Sequence, residues 1–252
     1  METLFIGKNI IFLPEIHSTN SYAIDLLKNV NLSEGTVVHT ANQTHGKGQR
    51  GSVWNAQAKR NLTASIILKP TFLSIKNQFF LYQIVALACY DSVAEIMKSS
   101  QIDIKIKWPN DILVNKKKIA GILIENNIQN NQINWCVTGI GINVNQVEFD
   151  PTITATSLKL ITGSDYSITL VLETLCKHFE KHYLVLRNSK LSSISEAYLK
   201  HLYGLNQFLE FEIHGERKKL LVKGLSESGL LLLEDSSGKI NELDVKEVKW
   251  FL

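Results

Sequence analysis

Acidic residues are missing from one long stretch of this sequence. Between Glu34 and Asp91 no Asp or Glu occurs, although 24 acids spread evenly over 252 residues would put about five there. Cysteine is scarce as well. Cys89, Cys136 and Cys176 are far apart, odd in number and in no C-x-x-C arrangement. That excludes a disulfide framework and a cysteine zinc cage, and it points to a reducing compartment. Residues 1–20 lack the apolar core of a secretory signal, because Lys8, Pro14 and Glu15 interrupt it. No run approaches the ~18 consecutive apolar residues of a membrane span, so a cytoplasmic location without a membrane partner is expected. Repeats and low-complexity segments are absent, and a formal net charge of +3 does not by itself call for nucleic acid. What is present is an ordinary globular composition, 44% hydrophobic and 20% charged, enough for one large domain or one domain with a small appendage.

Periodicity sketches the elements. Residues 4–14 read as a short strand, after which Ser18-Thr19-Asn20 offers capping side chains to a helix faced by Ala23, Leu26 and Leu27. Residues 36–40 and 62–69 read as strands on either side of a polar, glycine-rich loop from Gln43 to Arg60. A long buried helix is expected over 77–97, then a strand over 104–108, a hairpin over 112–114 and 119–125, and a strand over 133–144. Two helices follow at 167–186 and 191–203. The hairpin excludes a wholly parallel sheet, so the fold class is α/β with a mixed sheet flanked by helices. Beyond Leu205 short strand-like runs (208–213, 220–225, 230–234 and 245–250) alternate with turn signals at His214-Gly215, Ser228-Gly229 and Ser237-Gly238, which predicts a small barrel-like β unit.

The acid-free window holds Lys47, Arg50, Lys59, Arg60, Lys69 and Lys76, and within it lies Gly46-Lys47-Gly48-Gln49-Arg50-Gly51. Charge alone describes a solvated basic face. Glycines at alternating positions add a backbone that can approach a ligand and direct N–H groups at an anion. The run matches G-x-G-x-x-G, yet no apolar-faced helix follows and no acid lies ~20 residues on, so a dinucleotide loop is excluded. No G-x-x-x-x-G-K-[ST] loop exists either. A second cluster, Lys107-Trp108-Pro109-Asn110-Asp111, leads into the hairpin, and Lys118-Ile119-Ala120-Gly121 lies across its turn. Pro109 restricts the backbone on both sides and presents the polar pair behind it in a defined geometry. His178 and His182 stand one helical turn apart among lysines and read as a solvated helix face rather than a metal site.

Taken in order, these segments resemble the biotin–protein ligases. The resemblance rests on Ser18-Thr19-Asn20, on Gln43 ahead of the Gly46–Gly51 loop, on Trp54, Lys107–Asp111, Lys118–Gly121, Gly139-Ile140-Gly141-Ile142-Asn143 and Ala155-Thr156-Ser157-Leu158. It implies a catalytic domain over 1–204 of the class II aminoacyl-tRNA synthetase/biotin synthetase-like kind. A small C-terminal SH3-like β-barrel over 205–252 would complete the chain. Because the chain opens at the catalytic domain, it is similar to the monofunctional members, and no DNA partner is expected.

The implied reaction joins biotin to ATP, with Mg2+, as biotinyl-5'-AMP, and then passes the biotinyl group to a lysine of a biotin carboxyl carrier protein. By resemblance Ser18, Thr19, Asn20, Gln43, Lys47, Gly48, Gln49, Lys118 and Gly121 border biotin. Gly46, Lys47, Arg50, Trp54, Lys107, Asn110 and Asn143 border ATP or the adenylate. Lys118, Asp111 and Arg50 carry the catalytic roles. Hydroxyls and amides suit a ureido ring that offers two N–H groups and one carbonyl, while cations suit the meeting of a carboxylate with an α-phosphate. Trp54 stacks on adenine or is simply a buried aromatic; Asp111 receives a proton from the attacking amine or merely pairs with Lys118. The loop departs from the family's usual G-R-G-R, with Lys47 and Gln49 in the arginine positions, which predicts weaker retention of the adenylate. Lipoate–protein ligases share the chemistry, but their Arg-Arg…Gly-Gly-Gly cluster has no counterpart here. The remaining alternative is a non-catalytic nucleotide- or nucleic-acid-binding module that uses the basic window.

Overall fold

The computed structural model describes residues 2–98 and 101–251, and for Arg50 the backbone alone. A seven-stranded sheet organises the first four-fifths of the chain. Its strands are β1 (Ile10–Leu13), β2 (Val37–Thr40), β3 (Asn61–Leu68), β4 (Ile104–Lys107), β5 (Asp111–Val114), β6 (Lys117–Gln129) and β7 (Gln132–Asn143). They lie in the order β1-β2-β3-β7-β6-β5-β4, with β1 and β2 parallel and every other pair antiparallel. The expected mixed sheet is therefore present, with β7 at its centre and the hairpin toward the β4 edge.

Helices cover both faces. On one face α1 (Thr19–Asn29), capped by Ser18, packs Ala23 against Val38, Ile67 and Val137. The other face is covered by α2 (Phe79–Met97), α4 (Ile168–Arg187) and α5 (Leu191–His201), with the short α3 (Leu158–Thr162) leading into them. The segment Ile75–Met97 is long and apolar enough to cross a membrane by length and composition, although polar residues interrupt any long apolar run in it. Here it is a core helix: Leu81, Ile84, Val85, Leu87 and Val93 are buried against the sheet and α4.

Residues 208–250 form a second, five-stranded antiparallel sheet. Its strands are β8 (Phe208–Ile213), β9 (Glu216–Leu225), β10 (Leu231–Glu234), β11 (Ile240–Leu243) and β12 (Val248–Trp250), in the order β11-β10-β9-β8-β12. Its inward residues Phe211, Leu220, Val222, Leu231 and Leu233 continue the same apolar core as the first sheet. The Trp108 indole N–H donates to the Gly229 carbonyl at 2.9 Å, which ties the Lys107–Asp111 segment to a turn of this second sheet.

Some element boundaries differ from expectation. Residues 4–9 are turn rather than strand, because the Glu180 carboxylate on α4 accepts the backbone N–H groups of Leu4, Phe5 and Ile6 at 2.6, 2.8 and 2.9 Å. The polar strand β11 gave no apolar signal, and the run at 245–250 is strand only from Val248 because Asp244–Glu247 closes a turn.

Candidate functional site

Strand alternation builds the site. On β3, β6 and β7 one set of side chains (Leu62, Ala64, Ile66; Ala120, Ile122, Ile124; Ile140, Ile142) enters the core beneath α2 and α4. The period of two sends Thr63 and Ser65, Gly121, Leu123 and Glu125, and Gly139 and Gly141 to the opposite face, beside the N-terminus of α1. A pocket of about 180 Å³ lies on that face. It gathers Ser18, Thr19, Asn20, Gln43, Lys47, Gly48, Gln49, Trp54, Asn110, Asp111, Lys118 and Gly121, residues spread over a hundred positions of sequence.

One end of the pocket is neutral and hydrogen-bonding. Thr19 N–H donates to Gln43 Oε1 at 2.8 Å, and Thr19 Oγ1 lies 3.0 Å from the same oxygen. Asn20 is held from behind: its Nδ2 donates to Glu125 Oε2 at 2.8 Å and to the Leu123 carbonyl at 3.3 Å. The buried Ser65 hydroxyl reaches both Asn20 Oδ1 at 2.6 Å and Thr19 Oγ1 at 2.7 Å. A Cβ on Gly139 would stand 2.4 Å from Asn20 Oδ1, so only glycine lets Asn20 settle there.

The other end is cationic. Lys118 Nζ lies 2.7 Å from Asp111 Oδ1, and Lys107 Nζ lies 3.8 Å from Oδ2 of the same carboxylate. Burial holds the Lys107 ammonium below the ordinary lysine range; Asp111 opposes that shift and Lys118 adds to it. Asn110 is fixed by donating Nδ2 to the Ile122 carbonyl at 2.9 Å, while Ile122 N–H returns to the Asn110 carbonyl at 3.0 Å. Between the two ends the Trp54 ring rests on the glycines of the floor. Added Cβ atoms on Gly121 and Gly141 would meet it at 2.9 and 2.2 Å. Lys118 Nζ sits 5.4 Å from the ring centroid, and the buried indole N–H has no hydrogen-bond partner among the described residues.

Several expectations change here. Gly121, expected to border biotin, carries the Trp54 ring against it in this structure. The Gly48 amide does not face the pocket, because it donates to the Ser52 carbonyl at 2.7 Å inside a tight loop that Trp54 N–H closes onto the Gly46 carbonyl at 3.0 Å. Gly46 is needed there for space, since its Cβ would lie 2.3 Å from the Trp54 carbonyl. Gly46 itself is buried beneath the loop, outside the pocket. Lys107 does not line the pocket but an adjoining cleft of about 590 Å³, closed on its far side by Glu212, His214, Lys246 and Lys249 of the second sheet. Gln49, Asn110 and Asp111 border both spaces. Asn143 acts as a bracket in this structure: its Nδ2 donates to the Thr156 carbonyl at 3.0 Å and to that of Lys118 at 3.5 Å. The Arg50 side chain lies outside the described residues.

His178 and His182 are not a solvated face. His178 Nε2 meets Glu95 at 2.8 Å and His182 Nε2 meets Asp91 at 2.9 Å, closing the seam between α4 and α2. Ser65 and Glu125 were missed although the signal was present. Thr63-x-Ser65 and Gly121-x-Leu123-x-Glu125 share the period of two that the glycines of Gly139-Ile140-Gly141 announce. Among the described residues no group of three or more His, Cys, Asp or Glu is placed to hold a metal.

Comparison with known proteins gives a consistent picture. The model of the biotin/lipoate A/B protein ligase family matches residues 12–143. The bifunctional ligase/repressor BirA of Bacillus subtilis is 31% identical over 98% of this chain and 76% of its own length. The biotin–[acetyl-CoA-carboxylase] ligase of Paracoccus denitrificans is 26% identical over 90% of this chain and 95% of its own. Among solved structures, the biotin protein ligase of Aquifex aeolicus in complex with biotin and ATP superposes with a TM-score of 0.80 at 29% identity, covering 96% of this chain and 98% of that one.

Proposed function

Because the chain belongs to the biotin/lipoate A/B protein ligase family, we propose that its pocket activates biotin with ATP and passes it to a carrier-protein lysine. The observation that carries this reading is the polarity of one cavity. Neutral hydroxyls and amides (Ser18, Thr19, Gln43) line one end, and Lys118 and Asp111 stand at the other. A ureido ring suits the first end and a carboxylate the second.

In the first step a biotin carboxylate oxygen attacks the α-phosphorus of ATP, and pyrophosphate leaves with the bonding electron pair. Two anions must meet, so the barrier falls where cations are already in place. Lys118 holds the carboxylate oxygen, Lys47 faces the phosphate from the loop, and Lys107 adds charge from the adjoining cleft. Mg2+ fits this site as a companion of the triphosphate, since the lining carboxylate, Asp111, is already paired with Lys118. When bound it neutralises phosphate charge. In the second step a neutral lysine amine of the biotin carboxyl carrier protein attacks the acyl carbon and AMP departs; Asp111 orients that amine and receives its proton.

A volume near 180 Å³ is small beside the roughly 300–1,000 Å³ of ordinary ligand pockets, so the pocket opens on loading. Trp54, resting on the glycine floor with its N–H unpartnered, is the group to lift, and its ring then offers a face to adenine. Residues 1–204 carry this chemistry, and the second sheet over 208–250 closes the Lys107 cleft and braces Trp108. The cytoplasm is the compartment in which the three free cysteines, carboxylase carriers and ATP coincide. The test mixes purified protein with ATP, Mg2+, biotin and a carrier domain. Streptavidin blotting is expected to reveal ATP-dependent biotinylation of the carrier, and unlabelled carrier overturns the reading.

A further inference from the structure

We infer that Glu125 and Ser65, neither of which lines the pocket, are positioning residues that set which pocket atoms accept and which donate toward the ureido ring. The inference rests on the biotin reading above and names the part of the site that selects a urea. Glu125 offers only lone pairs to Asn20, and so does the Leu123 carbonyl. Both therefore require the Asn20 NH2 group, which leaves Asn20 Oδ1 facing Ser65.

Oδ1 can only accept, so the single Ser65 hydroxyl hydrogen points to it across 2.6 Å. Ser65 Oγ then has no hydrogen left for Thr19 Oγ1, which lies 2.7 Å away. Any hydrogen between the two oxygens must come from Thr19. That hydrogen has two inward acceptors, Ser65 Oγ at 2.7 Å and Gln43 Oε1 at 3.0 Å, the latter also accepting the Thr19 backbone N–H at 2.8 Å. With either acceptor the Thr19 hydrogen is turned into the network, where Ser65 is fixed on Asn20 and Glu125 anchors the end.

Thr19 Oγ1 consequently shows the pocket only lone pairs, the complement of a ureido N–H. Gln43, whose oxygen is engaged by Thr19, has its NH2 group available for a ureido carbonyl. Loss of the buried Ser65 hydroxyl, or of the half-buried Glu125 carboxylate that orients Asn20, loosens that inward hold and lets the Thr19 hydroxyl turn its hydrogen outward, donor against donor. Gly139 belongs to the same device, because any side chain there would displace Asn20 Oδ1.

The test is steady-state kinetics of carrier biotinylation for wild type, Glu125→Gln, Ser65→Ala and the double variant, with folding checked by circular dichroism. Each single change is expected to raise the KM for biotin by about tenfold while kcat and the KM for ATP move less than about twofold. Because both act through one chain of hydrogens, the double variant is expected to resemble either single one rather than multiply their effects. An unchanged biotin KM in both folded single variants overturns the inference. So do multiplicative losses in the double variant, or equal losses for biotin and ATP, which are the mark of a merely structural role. Should Glu125→Gln fail to fold, Ser65→Ala carries the test. Failure of the wild type to label the carrier counts against the proposed function instead.

Discussion

Two clusters of opposite charge sit on different faces of this molecule and are built to different ends. Beside the pocket one carboxylate, Asp111, is shared by Lys118 at 2.7 Å and Lys107 at 3.8 Å, with Lys47 lining the same cavity. Between the outer helices two carboxylates on α2, Asp91 and Glu95, meet His178, His182, Lys177 and Lys181 on α4 at 2.8–3.6 Å. The first cluster has more cations than acids and opens on a cavity, so an arriving anion completes it. The second has its carboxylates and imidazoles closed on one another across a seam, and it holds two helices together. Four ionisable residues make the first cluster and six the second; access to a cavity distinguishes a site from a staple.

Substitutions can break or sharpen that contrast. The largest effect is expected from Lys118→Ala, which removes the cation at the carboxylate: pyrophosphate release falls on the order of a hundredfold or more. Asp111→Ala mainly slows transfer to the carrier, so pyrophosphate release and carrier labelling are measured separately, and equal losses in both steps refute the division of roles. Next comes Gly141→Ala, whose methyl would sit 2.2 Å from the resting Trp54 ring. Carrier labelling is expected to fall about tenfold, with a shift in tryptophan emission that vanishes in a Trp54→Phe background. Unchanged emission would mean that Trp54 does not rest on the floor.

Gln49→Arg restores a cation at the pocket rim and is expected to slow adenylate release several-fold, measured by trapping the free adenylate. An unchanged release rate removes the significance of Gln49. The smallest effect on activity belongs to the staple. Asp91→Asn leaves carrier labelling unchanged and costs about 1 kcal/mol of stability by chemical denaturation. Burial opposes ionisation of Asp91, but the His182 hydrogen bond and the charges of His182, Lys181 and His178 outweigh it and hold its pKa below the ordinary value. A depressed carboxylate pKa contributes stability above the unfolded value, near 4, and loses it as pH falls through the folded one. Wild type should therefore lose Tm faster than Asp91→Asn below about pH 4. Parallel Tm profiles would show the staple to be inert.

Much of the site was legible because its residue types are unusual for their positions. An acid-free basic window, glycines alternating with isoleucines in Gly139–Ile142, and a Trp-Pro-Asn-Asp turn each signal a constraint that ordinary packing does not impose. Ser65 and Glu125 escaped notice because a serine inside a strand and a glutamate near its end are unremarkable one at a time. Asn143 carries a second role that its motif did not announce: its NH2 group is taken up by the carbonyls of Thr156 and Lys118. The histidines of α4 had the right spacing for a surface, and nothing local revealed that α2 would bring Asp91 and Glu95 against them.

The sequence by itself determined the elements, their inward faces and the chemistry available to the site, because a period of two or 3.6 is a local property of the chain. It also determined, through Gly121, Gly139 and Gly141, that something must lie close against the sheet. Only the tertiary structure decided what that is: an indole from a loop more than sixty residues earlier, and an asparagine from the first turn of α1. It decided too that Lys107 and Lys118, four and seven residues from one aspartate, would face different spaces. Strand register places Asp111 opposite both Lys107 and Gly121, and the side-chain directions follow from that pairing. Register and face are settled by long-range pairing and burial, which no window of sequence contains.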